Sequence, residues 1–423
     1  MPALPLLRAH EVVRAFERLG WQVARQRGSH IILAKPRLSC DCRSRNTRKW
    51  PRSASRYSPL CNSDGRFNAF ECKSSILVSV RSIQLVAQRT LEEREMPQER
   101  DPGFGEITVK VRAIGICGSD LHWFLDGRIG ETPAVYPRVP GHEPAGEVVA
   151  VGKGVTHMAV GDRVVLEPNL TCGHCEYCLK GQHNNCIHNV FMGGCQCDGM
   201  LREYVTLPAG NATRFPKAFD FAKATLAEPL AVMMHMLELV DIHMGDTVCV
   251  TGSGPIGMLA DATAKAAGAS RVFVADKLPY RLKIAQQMGA DVTIDTTAEK
   301  LVDTVLDATR GRGVDKVIEC AGAAETVNAG IRMACPGGTD MMIGIHSELY
   351  PKIDVHSARG KELRLQTLKR SNHRSQEALD MMSSGRVSTA LLTHSLPLEE
   401  TPKAFDMMTN YTDGVGKVVV EIK

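Results

Sequence analysis

The sequence predicts an α/β protein in which a compact β-rich domain is joined to a doubly wound parallel sheet, and three observations carry that expectation. Strand-like runs at 107–113, 147–151, 163–167 and 203–207 are short and separated by Gly and Pro, the pattern of a β-rich domain. Further on, apolar strands alternate with helical periods, at 247–251, 271–275, 291–294, 316–320, 341–345 and 363–368, as in a parallel sheet covered by helices. Between the first of these strands and a helix at 258–267 lies Gly252-Ser253-Gly254-Pro255-Ile256-Gly257, a glycine-rich turn suited to a phosphate.

A chain of 423 residues has room for two or three domains, and 43% hydrophobic with 23% charged residues is ordinary for a globular protein. The formal net charge of +4 is small for this length and predicts no partner. No apolar run approaches the ~18 residues of a membrane helix, and Arg8, His10 and Glu11 stand where a secretion signal needs apolar residues. A cytoplasmic protein is expected. In such a reducing compartment the 14 cysteines point to thiolate ligands rather than a disulfide framework.

The chain begins with a different signal. Val12, Val13, Phe16 and Leu19 fall at helical spacing with Gly20 as a cap, and Trp21–Ala24 and His30–Ala34 read as strands around Arg25–Gly28, an α-β-β start. Residues 36–82 are rich in Arg and Ser and show no sustained period, so a disordered linker is expected. Its Cys40, Cys42, Cys61 and Cys72 read as incidental thiols.

Chemistry-bearing residues concentrate in three places. Between Gly115 and Glu143 the chain offers a thiolate, an imidazole and a carboxylate, Cys117, His142 and Glu143, a mixed set that reads as catalytic zinc rather than structural zinc. Ser119 and His122 follow the thiolate and form a candidate proton path. Cys172, Cys175, Cys178 and Cys186 follow at spacings of 3, 3 and 8, a tetrathiolate signature with no open position. Finally, the turn at Gly252, Gly254, Pro255, Ile256 and Gly257 is followed by a strand ending on Asp276, whose carboxylate accepts from ribose hydroxyls and repels a 2′-phosphate. NAD is therefore expected over NADP, with the adjacent Lys277 as the one feature favouring the phosphate.

Taken together, GICGSDLH from Gly115, GHEPAGEVVAVGKGV from Gly141, GDRV from Gly161, the four-cysteine lobe, AEPLAV from Ala227 and GSGPIG from Gly252 resemble the zinc-dependent medium-chain alcohol dehydrogenase superfamily, in its sorbitol, idonate and polyol branch. The resemblance spans residues 83–423. It implies a GroES-like catalytic domain (83–227 and 371–423), a Rossmann NAD-binding domain (228–370), two zinc ions per chain and a homodimer or homotetramer. It further implies that Cys117, His142 and Glu143 hold the catalytic zinc, with Glu228 at the variable ligand position and Asp120 supporting a ligand. Arg370 and Asn372 would then stand at the substrate cleft, with a solvated basic hinge as the alternative, and Cys195 and Cys197 read as substrate-side lining or as chance. The expected reaction is hydride transfer from a secondary alcohol of a polyol or aldonate. An L-threonine 3-dehydrogenase-like activity is the alternative.

The segment LPLLRAHEVVRAFERLGWQVARQRGSHIIL resembles instead the HicA-type toxins, whose motif histidine corresponds to His30. It stops short of the third strand and second helix of such a fold, so residues 1–35 are expected to be a fragment without nuclease activity. A bifunctional protein with an RNA-binding segment is the alternative this leaves open.

Overall fold

The computed structural model describes residues 22–27, 30–34, 79–98, 101–194 and 197–423, and the chain divides into two units, 1–73 and 74–423. In the first unit β1 (Gln22–Arg27) pairs antiparallel with β2 (His30–Ala34), ending at Arg27 opposite His30. Arg25–Arg27 thus belong to the strand rather than the expected turn, since two residues suffice to join a hairpin. The expected helix at 10–19, together with Cys40, Cys42, Cys61, Cys72 and Cys195, lies outside the described residues.

The second unit is ordered from earlier than the sequence suggests. β3 (Ser79–Ala87) pairs with β4 (Thr90–Pro97), so the last residues of the expected linker form a strand. Val80, Ile83 and Leu85 are buried, and the Ile83 and Leu85 amides donate to Leu201 and Arg138 carbonyls at 2.9 and 2.8 Å. Ser82, buried and donating to the Arg94 carbonyl, interrupts the apolar alternation and hides this strand from pattern reading.

The chain then builds the β-rich sheet from β5 (Glu106–Gly115), β6 (Glu143–Val151), β7 (Arg163–Leu166), β8 (Tyr204–Pro208) and β9 (Ala212–Arg214), with α1 (Gly118–Leu125) leaving the end of β5. β6 lies antiparallel along one side of β5, and β8 covers the amino-terminal half of its other side. After α2 (Ala227–Val240) come β10 (Thr247–Thr251), α3 (Pro255–Ala266), β11 (Arg271–Asp276), β12 (Val292–Asp295), β13 (Val314–Glu319), α4 (Ala324–Met333), β14 (Ala334–Met342) and β15 (Arg364–Thr367). These six strands are parallel in the order β12-β11-β10-β13-β14-β15, which reverses direction between β10 and β13, the Rossmann arrangement. β14 begins well before the expected 341 because Pro336-Gly337-Gly338 breaks its apolar pattern without ending the strand.

The tail returns to the first sheet. β16 (Leu392–Pro397) pairs with β17 (Lys417–Glu421), and β17 pairs with the carboxyl end of β5, through Gly115. Val109, Val111, Ile114, Val148, Leu166, Val418 and Val420 form the core of this sheet, while Val248, Val250, Leu259 and Val274 pack with Leu230, Met233 and Met236 of α2. Among the described residues no helix is long and apolar enough to cross a membrane.

Candidate metal centre and dinucleotide cleft

The metal centre grows out of one strand pair. Gly115 ends β5 opposite Glu143, which begins β6; Cys117 is two residues past one strand and His142 one residue before the other. Their register brings the donor atoms of Cys117, His142 and Glu143 within 4.8 Å of one another, with His142 and Glu143 buried. Gly115 has no substitute here: a Cβ on it would stand 2.1 Å from Glu143 Oε2 and 3.2 Å from Lys417 Cε. Lys417, 1% exposed on β17, places Nζ 2.7 and 2.6 Å from the two Glu143 carboxylate oxygens. Burial of the ammonium is outweighed by Glu143 and Cys117, which hold its pKa above the usual lysine range. Sequence reading missed Lys417. A lysine inside an otherwise apolar strand was the available signal, because a buried lysine needs a paired charge.

Asp120 orders the other side of the centre. Its oxygens accept from the Cys117 and Gly141 amides at 3.2 and 3.1 Å, and one lies 3.6 Å from His142 Nδ1. Burial opposes the Asp120 charge, but the neighbouring His142 and these N–H groups hold its pKa below the usual range. Burial likewise opposes charge on His142, and Asp120 with Cys117 overcomes it, raising the imidazole well above its ordinary value. A carboxylate facing Nδ1 leaves Nε2 to a metal, as carboxylates beside ligating histidines do. Ser119 Oγ lies 3.5 Å from that Nε2, whereas His122 is turned to Asp126, Nδ1 to Oδ2 2.9 Å. The two side chains of the expected proton path are not hydrogen-bonded to each other.

Glu228, in the first turn of α2, is buried beside these groups but outside the set of three. Burial, aided by Glu143 and Glu167, pushes its carboxyl up to about 8 against the pull of His142 and Lys417. Phe191 packs on His142 at 5.2 Å between ring centroids, and the Arg370 guanidinium lies 4.0 Å over Phe191 while donating to Asn169 Oδ1 at 3.0 Å. Asn372 does not share that position. Its amide is spent on the cysteine lobe, accepting from His183 N and donating to the Gly181 carbonyl, both at 2.9 Å. Cys197 packs against the β-rich core.

Cys172, Cys175, Cys178 and Cys186 also gather their sulfurs within 4.8 Å. Cys172 Sγ stands 3.5 Å from Cys186 Sγ and 4.0 Å from Cys178 Sγ, bracketing the ~3.8 Å edge of a tetrahedron with ~2.3 Å Zn–S bonds. The Cys178 amide lowers the Cys175 thiol to about 6, while burial and the other sulfurs push Cys178 up to about 12. Four thiolates this close need a cation between them. The donor sets at both centres fit zinc.

In the parallel sheet the turn after β10 is built for close approach. Gly252 has φ 89°, and a Cβ on it would meet Ala321 N at 2.8 Å; one on Gly257 would strike the Gly252 carbonyl oxygen at 1.8 Å. Gly254 caps α3, and Pro255 occupies its first turn ahead of Ile256, so the helix presents unpaired N–H groups toward the crevice. Asp276 ends β11 with its oxygens accepting from Ser253 N at 2.6 Å and Leu278 N at 2.9 Å. Those bonds tie the carboxylate to the glycine turn and leave lone pairs for ribose hydroxyls. Lys277 is exposed.

Comparison with known proteins agrees with this geometry. Residues 103–217 match the alcohol dehydrogenase GroES-like domain, 255–384 the zinc-binding dehydrogenase family and 9–39 the HicA toxin of bacterial toxin-antitoxin. A sorbitol dehydrogenase of Bacillus subtilis is 33% identical over 76% of this chain and 91% of its own. An L-threonine 3-dehydrogenase of Bacillus velezensis is 33% identical over 78% and 94%. The crystal structure of an Escherichia coli oxidoreductase of unknown specificity superposes with a TM-score of 0.77 at 32% identity, covering 82% of this chain and all of that one.

Proposed function

Because the chain belongs to the zinc-binding medium-chain alcohol dehydrogenase family, we propose that it oxidises a secondary alcohol of a polyol or sugar acid with NAD as hydride acceptor. The observation that carries this reading is the convergence of Cys117, His142 and Glu143 within 4.8 Å, in a chain whose glycine turn is tied to Asp276. We assign these three residues and Glu228 to the catalytic zinc, the four cysteines of the lobe to a second zinc, and Gly252–Gly257 with Asp276 and Lys277 to the dinucleotide. Bound there, zinc supplies Lewis-acid polarisation of the alcohol and the dinucleotide supplies the hydride acceptor.

The chain's own residues do the rest. Asp120 orients the His142 ring, Lys417 balances the buried charge of Glu143, and Ser119, 3.5 Å from His142 Nε2, takes the hydroxyl proton and releases it toward solvent, whereas His122 is paired with Asp126. Asp276 favours NAD by repelling a 2′-phosphate. Arg370, held beside Phe191, suits a polyhydroxy or carboxylate-bearing substrate through paired hydrogen bonds. The sorbitol dehydrogenase relative supports the polyol reading, and the L-threonine 3-dehydrogenase relative supports an amino-acid alcohol as the second reading. We divide the enzyme into a catalytic domain, 79–227 with 371–423, and a cofactor domain, 228–370, working as a cytoplasmic homodimer or homotetramer.

The test is a panel of polyols, aldonates and L-threonine assayed with NAD and NADP on protein of known zinc content. Turnover of a polyol or aldonate faster than of L-threonine, with NAD ahead of NADP, is expected. A zinc-loaded protein that turns over none of them overturns the reading.

A further inference from the structure

The cysteine lobe grips the segment that returns the chain to the β-rich sheet. It is a loop closed at its base by two short antiparallel strands, Asn169–Leu170 and Val190–Phe191, with the four cysteines between them. The Lys369 carbonyl accepts from Asn184 Nδ2 at 3.1 Å. Asn372 reaches from the His183 amide to the Gly181 carbonyl, at 2.9 Å each. Between these two anchors Ser371 Oγ donates to Glu167 Oε2 at 2.7 Å, and Arg370 donates to Asn169 Oδ1 at 3.0 Å. Four consecutive residues are thus each tied to the lobe or to the strand leading into it, and Asn169, Asn184, Glu167 and Ser371 are buried.

The backbone of the gripped segment shows what those bonds hold. Arg370 has φ 58° and His373 has φ 56°, a left-handed conformation that a residue other than glycine keeps only where its surroundings over-determine it. Asn184 and Asn372 supply that constraint on either side of Arg370. In this conformation the guanidinium lies 4.0 Å over the Phe191 ring, and Phe191 packs on His142 at 5.2 Å. Phe191 itself belongs to the base of the lobe. One element therefore sets both the arginine and the ring that separates it from the metal centre.

We propose that the cysteine lobe is a specificity element of the dehydrogenase site, with Asn372 and Asn184 as positioning residues that hold Arg370 beside the metal centre. Held there, the guanidinium recognises a hydroxyl pair or a carboxylate that the substrate carries beyond its reacting alcohol, through paired hydrogen bonds. A plain secondary alcohol gains nothing from it. This inference rests on the polyol-type reading of the site and adds to it the part of the fold that places the arginine. Asn372 acts through Arg370, since both ends of its amide are bonded to the lobe.

A double-mutant cycle on the full-length, zinc-loaded chain tests it, with steady-state kinetics on the fastest of sorbitol, L-idonate and L-threonine and on 2-butanol, which carries no second polar group. Asn372→Ala raises KM for the polar substrate by about tenfold, the scale of one hydrogen bond to a charged group, while kcat stays near the wild-type value. Neither constant for 2-butanol moves. In an Arg370→Ala background the same substitution costs no more than about twofold, because residues that act as one unit are not additive. Asn184→Ala, which frees the Lys369 carbonyl, gives the same pattern and takes the place of Asn372→Ala if that variant fails to fold, as judged by zinc content and melting temperature. An unchanged KM, an equal rise for 2-butanol, or a full penalty in the Arg370→Ala background overturns the inference. A wild-type chain that turns over none of the polar substrates removes the dehydrogenase reading instead, a result distinct from an active wild type with an unaffected variant.

Discussion

The four cysteines of the lobe lie between 172 and 186 and meet through one loop and a four-residue helix, whereas Cys117, His142 and Glu143 meet only because β5 and β6 pair in the right register. The first centre is closed and composed of one ligand type. The second mixes three types and needs a counter-charge, Lys417, from 274 residues along the chain. A local cluster of like donors is suited to pinning a loop, since it asks nothing of the fold. A mixed centre inside a core works only if the fold compensates the charge it buries.

Separating the two centres by mutation gives the largest expected effect. Cys117→Ser lowers kcat/KM by about 10³-fold or more, the scale of losing Lewis-acid stabilisation, yet leaves the lobe's zinc and the melting temperature close to wild type. Cys178→Ser does the converse, removing the lobe's zinc and lowering the melting temperature, because binding energy at a closed site is folding energy. Zinc analysis and thermal melts of both variants decide the matter, and matching profiles would erase the proposed division of roles.

A second test addresses the counter-charge. Lys417→Met strands the Glu143 carboxylate in the core, at a cost of about 3–5 kcal/mol. Zinc offers Glu143 another cation, so urea denaturation should show the full loss under chelation and a smaller one with zinc present. Equal losses in the two conditions would remove Glu143 from the ligand set.

The third compares two buried carboxylates. Glu143 has Lys417, but Asp340 on β14 is fully buried with both oxygens unpartnered, wedged where a Cβ on Gly330 of α4 would lie 2.5 Å from Oδ2. Burial, reinforced by Glu319, pushes its carboxyl up from 3.8 to about 8. A folded-state pKa above the unfolded one means its contribution is fully present below about pH 4 and is lost as pH rises through about 8. Asp340→Asn should therefore flatten that decline and gain about 2–3 kcal/mol at pH 8. A decline unchanged by Asp340→Asn in denaturation curves at pH 5 and pH 8 would rule out Asp340 as its source.

What could be read from the chain followed contiguity. The glycine turn, the strand ending on Asp276 and the four-cysteine spacing are each local patterns, and each is matched by the geometry. Cys117, His142 and Glu143 were visible as residue types, but their meeting depends on strand register. β3 escaped detection because buried Ser82 breaks its period, and β14 was placed late because glycines interrupt it. Asn372 stood at the expected place in the chain, yet both ends of its amide are committed to the cysteine lobe, which no pattern of neighbours reveals.

By itself, then, the sequence determined the fold class, the two clusters of metal-binding residue types and the dinucleotide turn, because strand and helix periodicity and short-range ligand spacing are properties of adjacent residues. Only the tertiary structure decided that Lys417 sits on Glu143, that Asp120 faces His142 Nδ1, and that Asn372 is bonded to the cysteine lobe. Those pairings join residues far apart in the chain, and they arise from the register of paired strands and the packing of one domain's loops on the other.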